Sequence, residues 1–191
     1  MTRSSIEDSI RESIATKERL LADGLGPVEA LLRLAGDCIE AGGRLFFCGN
    51  GGSACDAAHA ACELIGWFVE KNRGPLPAIA LGHETPTATA IANDKGYEQV
   101  FARQLRGLGR RGDLLVGITT SGSSENVLRA IQTAKELGAT AVALTGSRQG
   151  RCAEQADLWV PVPSEETPRI QESHLLVVHL LCAYLEDRFS A

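Results

Sequence analysis

Short apolar runs alternate with longer segments of helical periodicity along most of this chain. Runs dominated by apolar residues predict strands at 45–48, 77–81, 113–118, 140–144 and 158–162. Nearly continuous apolar strands, as opposed to alternating ones, are typical of a sheet covered on both faces. Because helical segments lie between these strands, the pattern predicts an α/β fold with a five-stranded parallel sheet flanked by helices.

Two helices are predicted before the first strand, at 4–22 and 28–41, with 24–27 as a break between them. The first carries an apolar stripe of Ile6, Ile10 and Ile14 at four-residue spacing. An α/β core does not need two additional amphipathic helices. We therefore expect one domain, 1–191, in which residues 1–43 form a helical extension used in oligomer assembly and 44–191 form the core.

The stretch 44–68, RLFFCGNGGSACDAAHAACELIGWF, holds the strongest candidate site. A buried strand is followed by a glycine turn tight enough for backbone to approach a ligand. A helix then begins, with Ser53 predicted as its N-cap. On that helix His59 and Glu63 are four residues apart, so both project from one face. Such a pair is either a metal-binding or catalytic unit or an ordinary surface pair, and its partners must come from elsewhere.

The segment ITTSGSSEN, 118–126, places hydroxyl residues around a glycine between a strand and a helix. Backbone N–H groups at a helix N-terminus, together with several hydroxyls, suit a phosphate. The segment lacks the lysine of a P-loop. We therefore prefer a small phosphorylated metabolite over a nucleoside triphosphate, and over a plain serine-rich loop.

A dinucleotide-binding fingerprint is the competing interpretation of Gly49-x-Gly51-x-x-Ala54. The nearest acidic residue after the next strand is Glu84, well beyond the spacing of about 20 residues that the fingerprint requires. A nicotinamide cofactor is therefore not predicted.

The last helix, predicted at 167–188, contributes Gln171, His174 and His179 within a mostly apolar sequence. His179 lies two turns beyond Gln171 and is rotated by roughly 80° from it. Spacing alone does not choose between His174 and His179 as the partner of the His59 face.

Charge and composition exclude several classes. The formal charge of −5 and the pI near 5.4 argue against a nucleic-acid-binding face. No apolar run reaches membrane-spanning length, and the N-terminus lacks the apolar segment of a signal peptide. The six cysteines form no CxxC pair, so we expect reduced, mostly buried thiols in a cytoplasmic protein.

Several segments together resemble the sugar isomerase (SIS) domain, and within it the phosphoheptose isomerase family. In chain order they are CGNGGSACDAAH with Glu63, LPAIAL, IANDKGYEQVFARQ, GDLLVGITTSGSSENVLRAI, LTG and VPSEETPRIQESHLLVVH. Each is moderately specific, and jointly they cover nearly the whole chain. The wider SIS group shares the Ser/Thr loop but generally lacks the His59/Glu63 and RIQE…H elements.

The resemblance implies a flavodoxin-like parallel sheet, a homotetramer with active sites at subunit contacts, and a small sugar phosphate as substrate. It implies conversion of sedoheptulose 7-phosphate to D-glycero-D-manno-heptose 7-phosphate, the first step of activated-heptose synthesis. By motif position the phosphate ligands are Thr119, Thr120, Ser121 and Ser124. The sugar pocket would be lined by Asn50, Gly51, Gly52 and Ser53, with Asn93 and Asp94 opposite. Zn²⁺ would be held by His59, Glu63, Gln171 and His179, of which Glu63 and Gln171 also face the substrate.

This chain departs from the family pattern at three of these places. Trp67 stands where the family often has arginine, Ala58 replaces a larger residue, and Thr119 replaces a usual serine. Thr119 keeps the hydroxyl. Trp67 removes a cation near the expected substrate, so we expect a difference from the family to concern the choice of sugar and not the reaction.

The implied reaction assigns roles to three residues. Moving a proton between C1 and C2 through an enediol(ate) needs a base at carbon and an acid at oxygen. Glu63 is the candidate base, His179 the candidate acid, and Asp94 a candidate for ring opening. The alternatives are an isomerase of another ketose phosphate, a non-enzymatic SIS adaptor that binds a replication initiator, and a SIS sensor, for which no DNA-binding domain is visible.

Overall fold

The computed structural model describes residues 2–190 and has the predicted α/β architecture. Its helices are α1 (Arg3–Asp23), α2 (Leu25–Glu40), α3 (Gly52–Ile65), α4 (Thr85–Lys95), α5 (Val100–Leu108), α6 (Glu125–Leu137), α7 (Arg151–Gln155) and α8 (Thr167–Phe189), with a 3₁₀ turn at Tyr97–Gln99. Its strands are β1 (Leu45–Gly49), β2 (Ala78–Ala80), β3 (Leu114–Thr119), β4 (Thr140–Thr145) and β5 (Leu158–Pro161).

All strand pairs are parallel, and the strand order is β2-β1-β3-β4-β5. The chain leaves β1 towards β2 on one side and returns to β3 on the other side. The direction of winding therefore changes between β1 and β3, and the loops that follow these two strands diverge there. In open α/β sheets this crevice is where ligands bind.

Alternate side chains of β1 pack into two separate cores. Leu45 and Phe47 belong to the core under α2, α3 and α8, whereas Phe46 and Cys48 belong to the core under α4, α5 and α6. A strand buried on both faces cannot alternate apolar with polar residues. This explains the continuous apolar runs of the sequence.

Two local predictions were wrong. The break between α1 and α2 is Gly24 alone, because Pro27 lies in the first turn of α2, where its missing N–H has no intrahelical partner to lose. Ser53 is not the N-cap of α3, which begins at Gly52 after Gly51. Gly51 has φ +56°, a conformation that favours glycine.

Within residues 2–190, no helix is long and apolar enough to cross a membrane.

Candidate active site

Two histidines from opposite ends of the chain meet at the centre of the candidate site. The Nε2 atoms of His59, on α3, and His179, on α8, are 2.9 Å apart, and the rings are tilted by 55°. Glu63 Oε1 lies 3.8 Å from His59 Nε2. His179 of the last helix thus joins the predicted pair of His59 and Glu63.

His174 lies elsewhere. It is fully buried, and neither ring nitrogen has a hydrogen-bond partner in the described chain. Burial lowers the pKa of His174 to about 4, an effect that the backbone of Thr145 opposes only in part. His174 is therefore a neutral core residue. The structure resolves the choice that helical spacing left open, in favour of His179 facing His59.

Gln171 approaches the glycine turn from α8. A Cβ at Gly52 would overlap its side-chain amide, so any larger residue there would displace Gln171 from this position. No hydrogen bond or ion pair joins Gln171 to His59, Glu63 or His179 in residues 2–190. The structure places Gln171 against the predicted sugar-pocket loop, beside the histidine cluster rather than in it.

The side chains at and beside the histidine cluster are of the types that bind zinc. Two imidazoles, a carboxylate and an amide are ordinary Zn²⁺ ligands, and a tetrahedral site would hold two ring nitrogens about 3.3 Å apart. Two unprotonated nitrogens at 2.9 Å face each other lone pair to lone pair, unless a proton or a cation lies between them. Among residues 2–190, no group of three or more His, Cys, Asp or Glu side chains is already arranged to hold a metal ion.

The hydroxyl loop after β3 is held together by its own side chains. Thr119 Oγ1 lies 2.9 Å from Ser124 Oγ and 3.4 Å from Ser121 Oγ. Ser124 is the residue before α6, yet its side chain does not cap the helix. Val127 N donates to the side chain of Asn126 at 3.0 Å, whereas no side chain accepts from the N–H groups of Glu125 and Asn126 in the described residues, as expected of an anion site.

Cavities lie on both sides of this loop. A pocket of about 250 Å³ is lined by Thr120 and Ser121, among others. A cleft of about 580 Å³ is lined by Asn50, Ser124 and Asn126, among others, in the crevice between the β1 and β3 loops. A larger cavity, of about 1000 Å³, lies between α4 and α5 and contains no predicted site residue. Its volume is not by itself evidence of a functional site.

Asn126 is a site residue that the sequence analysis missed. Its amide pairs reciprocally with that of Asn50: Asn50 Nδ2 donates to Asn126 Oδ1 at 2.9 Å, and Asn126 Nδ2 donates to Asn50 Oδ1 at 2.8 Å. Tyr97 Oη also donates to Asn50 Oδ1, at 2.9 Å. The pair joins the two loops of the crevice. Its position directly after the hydroxyl loop was the available signal.

Asn93 and Asp94 lie exposed at the end of α4, where Asn93 Nδ2 donates to Asp94 Oδ1 at 2.8 Å. No hydrogen bond links either side chain to another predicted site residue within 2–190. Their link to the site is through the sequence: Tyr97 follows Asp94 by three residues in the chain, and its hydroxyl donates a hydrogen bond to Asn50.

Asp56 lies one turn before His59 on α3. The sequence analysis did not identify it as a group with a shifted pKa. Its Oδ2 is buried without a partner in the described residues. Burial raises the pKa of Asp56 to about 6, although nearby His59 acts in the opposite direction.

Comparison with known proteins places this arrangement in a class. Residues 10–146 match the SIS domain family. A phosphoheptose isomerase of Rhodospirillum rubrum is 49% identical over 167 residues, covering 87% of this chain and 85% of that protein. The chain belongs to the phosphoheptose isomerase family, and it is an isomerase.

Solved structures agree. A phosphoheptose isomerase from Francisella tularensis has a TM-score of 0.94 and 37% identity, covering 98% of this chain and 100% of that one. The enzyme from Neisseria gonorrhoeae has a TM-score of 0.91 and 38% identity, covering 97% and 98%. The resemblance inferred from the motifs and the predicted fold class are both confirmed.

Proposed function

We propose that this isomerase converts D-sedoheptulose 7-phosphate to D-glycero-D-manno-heptose 7-phosphate, the first step of activated-heptose biosynthesis. The observation that carries the proposal is the approach of His179 to His59 and Glu63 on the helix that follows β1. Since β1 and β3 are neighbours, the hydroxyl loop after β3 lies at the same edge of the sheet. An acid, a base and an anion anchor are what an aldose–ketose isomerase needs.

Each group has one task in the proposed reaction. Backbone N–H groups at the start of α6, with the hydroxyls of 119–124, hold the phosphate and fix the distance to the carbonyl. Glu63 takes the proton from one carbon and returns it to the next, while His179 moves a proton at the oxygens. Asp94, on the exposed end of α4, assists ring opening.

We propose that the resident metal is Zn²⁺, held by His59, Glu63, Gln171 and His179. The facing Nε2 atoms of the two histidines, with Glu63 within 3.8 Å of His59, support this assignment. Gln171 would complete the set by turning from Gly52. When bound, zinc would supply a Lewis acid at the carbonyl oxygen.

We also propose a cytoplasmic homotetramer. Ile6, Ile10 and Ile14 of α1 are 47–56% exposed, an apolar stripe that a second subunit would cover. The negative net charge favours a small substrate over nucleic acid as the partner.

The test is to incubate zinc-supplemented protein with sedoheptulose 7-phosphate in deuterated water and to follow the reaction by proton NMR. An aldoheptose phosphate that carries deuterium at C2 is the expected product. Neither product nor exchange, from folded protein with metal bound, would contradict the proposed substrate.

A second candidate is isomerisation of another ketose phosphate. Trp67 is 53% exposed and directly precedes Phe68, whose ring contacts His179. An aromatic ring in place of a cation changes which sugar hydroxyls and charges are accepted. A thermal-shift screen of ketose phosphates separates this candidate from a non-enzymatic adaptor, which would respond to none of them.

A further inference from the structure

A buried carboxylate on α8 binds three consecutive backbone N–H groups beyond the end of α3. Glu186 is 7% exposed. Its Oε1 accepts from Phe68 N at 3.0 Å, and its Oε2 accepts from Val69 N at 2.8 Å and Glu70 N at 3.0 Å. Burial acts to raise the pKa of Glu186, but these N–H groups and Arg73 hold it below its ordinary value. A charged acceptor for three amides is a strong anchor.

Arg73 extends the anchor to the helix that carries Glu63. Its side chain is buried, with Nε 3.6 Å from Glu186 Oε1. Nη1 donates to Leu64 O at 2.8 Å, and Nη2 donates to Glu63 O at 2.7 Å. The guanidinium thus satisfies carbonyls at the end of α3 that have no intrahelical donor. Through Arg73, Glu186 fixes the end of α3 against α8.

The anchored segment presents a ring to the candidate acid. The Phe68 ring centroid lies 5.5 Å from that of His179, and the His59 ring lies 5.0 Å away from His179. His179 therefore packs against both the Phe68 ring and the His59 ring. Glu186 follows His179 by seven residues, two turns of helix, so both project from nearly the same face of α8.

We infer that Glu186 is a positioning residue for His179: by anchoring 68–70 it holds the Phe68 ring against the imidazole, and with Arg73 it fixes α3 relative to α8. It touches neither substrate nor the reacting atoms. The expected effect on kcat rests on the proposed function. The effect of Glu186 on the contact between Phe68 and His179 does not depend on any activity.

The first measurement is the NMR signature of His179 in protein labelled at its histidine rings. The chain has four histidines, and the His179 signals are assigned by their loss in His179→Gln. Phe68→Leu removes the aromatic ring and so its ring-current shift. Glu186→Gln keeps the volume but replaces one of the two acceptor oxygens by an NH₂, which then faces either Phe68 N or the N–H groups of Val69 and Glu70, so the anchor of the segment should weaken. Both variants should move the His179 signals in the same direction.

The second measurement is steady-state kinetics. Because a small displacement of a reacting group lowers the chemical step, kcat should fall about 10- to 100-fold in both variants. KM should stay within about twofold, since the phosphate loop is untouched. Glu40→Gln is the matched control: it removes an ion pair between α2 and Arg188 of α8, and neither Glu40 nor Arg188 has a hydrogen bond or ion pair with 68–70 in the described residues. It should change neither the His179 signals nor kcat.

Native His179 signals in folded Glu186→Gln, or shifted signals with native kcat, would overturn the inference. If Glu186→Gln does not fold, Glu186→Asp, which keeps the charge but shortens the reach to the three N–H groups, decides by the same two criteria. If the native protein does not turn over the heptulose phosphate, the proposed function fails, while the His179 signals still decide whether Glu186 sets the contact.

Discussion

His59 and His179 are 120 residues apart in the chain, yet their Nε2 atoms lie 2.9 Å from each other. One is on the helix after the first strand and the other on the last helix, which covers the same face of the sheet. The contact joins the helix that follows the glycine turn to the last helix, two of the segments on which the resemblance was based.

Glu63→Gln should reduce turnover by at least about 100-fold, because the amide cannot accept the carbon-bound proton. The amide keeps the shape of the carboxylate, so circular dichroism and the sedimentation coefficient should not change. Turnover is measured in a discontinuous assay of aldoheptose phosphate. A folded variant with near-native turnover would show that Glu63 is not the base.

His59→Gln should lower bound zinc, measured by elemental analysis after gel filtration, because one of two facing imidazole donors is lost. The matched control is His83→Gln. His83 is exposed, and its Nε2 lies 3.1 Å from Ala54 O, away from the histidine pair. Equal zinc content in the two variants would refute the proposed metal site.

Asn126→Asp should raise KM roughly tenfold with a smaller effect on kcat. The carboxylate cannot donate to Asn50 Oδ1, and a lost buried hydrogen bond costs about 1–2 kcal/mol. The loops after β1 and β3 would then keep only one of their two side-chain hydrogen bonds, the one that Asn50 Nδ2 donates, and would be held together less firmly. Asn72→Asp, at an exposed position, is the control for the added charge. A KM that rises equally in both variants would indicate a charge effect alone.

His174→Leu should flatten the pH dependence of stability between pH 7 and 4.5. The pKa of His174 in the fold, about 4, lies below the ordinary 6.5, so the folded state requires the neutral ring. Native protein therefore loses stability as pH falls through this range, by about 2–3 kcal/mol from this group. Urea denaturation at both pH values measures the difference. Parallel pH profiles for the two proteins would contradict it.

Asp56→Asn should stabilise the metal-free protein at pH 8 and not at pH 4. Here the pKa in the fold, about 6, is above the ordinary 3.8, so the fold prefers the protonated acid. The native protein gains stability as pH falls from 6 towards 4, and the advantage of asparagine should shrink over the same interval. Allowing for partial exposure, we expect about 1–2 kcal/mol at pH 8. Thermal denaturation measures it, and an advantage independent of pH would argue against a buried charge.

The sequence by itself determined the parallel sheet and the family. Runs such as 45–48 are apolar because β1 is buried on both faces, and this demand is local to the strand. His59 and Glu63 share a face because helical geometry fixes residues four apart. The glycine turn and the hydroxyl loop could likewise be predicted, because their conformation and their position after a strand depend only on neighbouring residues in the sequence.

Only the tertiary structure decided which distant side chains meet. Spacing on α8 allowed either histidine, and the packing of the helix buried His174 while it turned His179 towards α3. The Asn50–Asn126 pair and the Glu186 anchor were equally invisible, because each joins residues 76 or more positions apart. The rotation of a helix about its axis depends on every surface it packs against, and a local pattern does not contain that information.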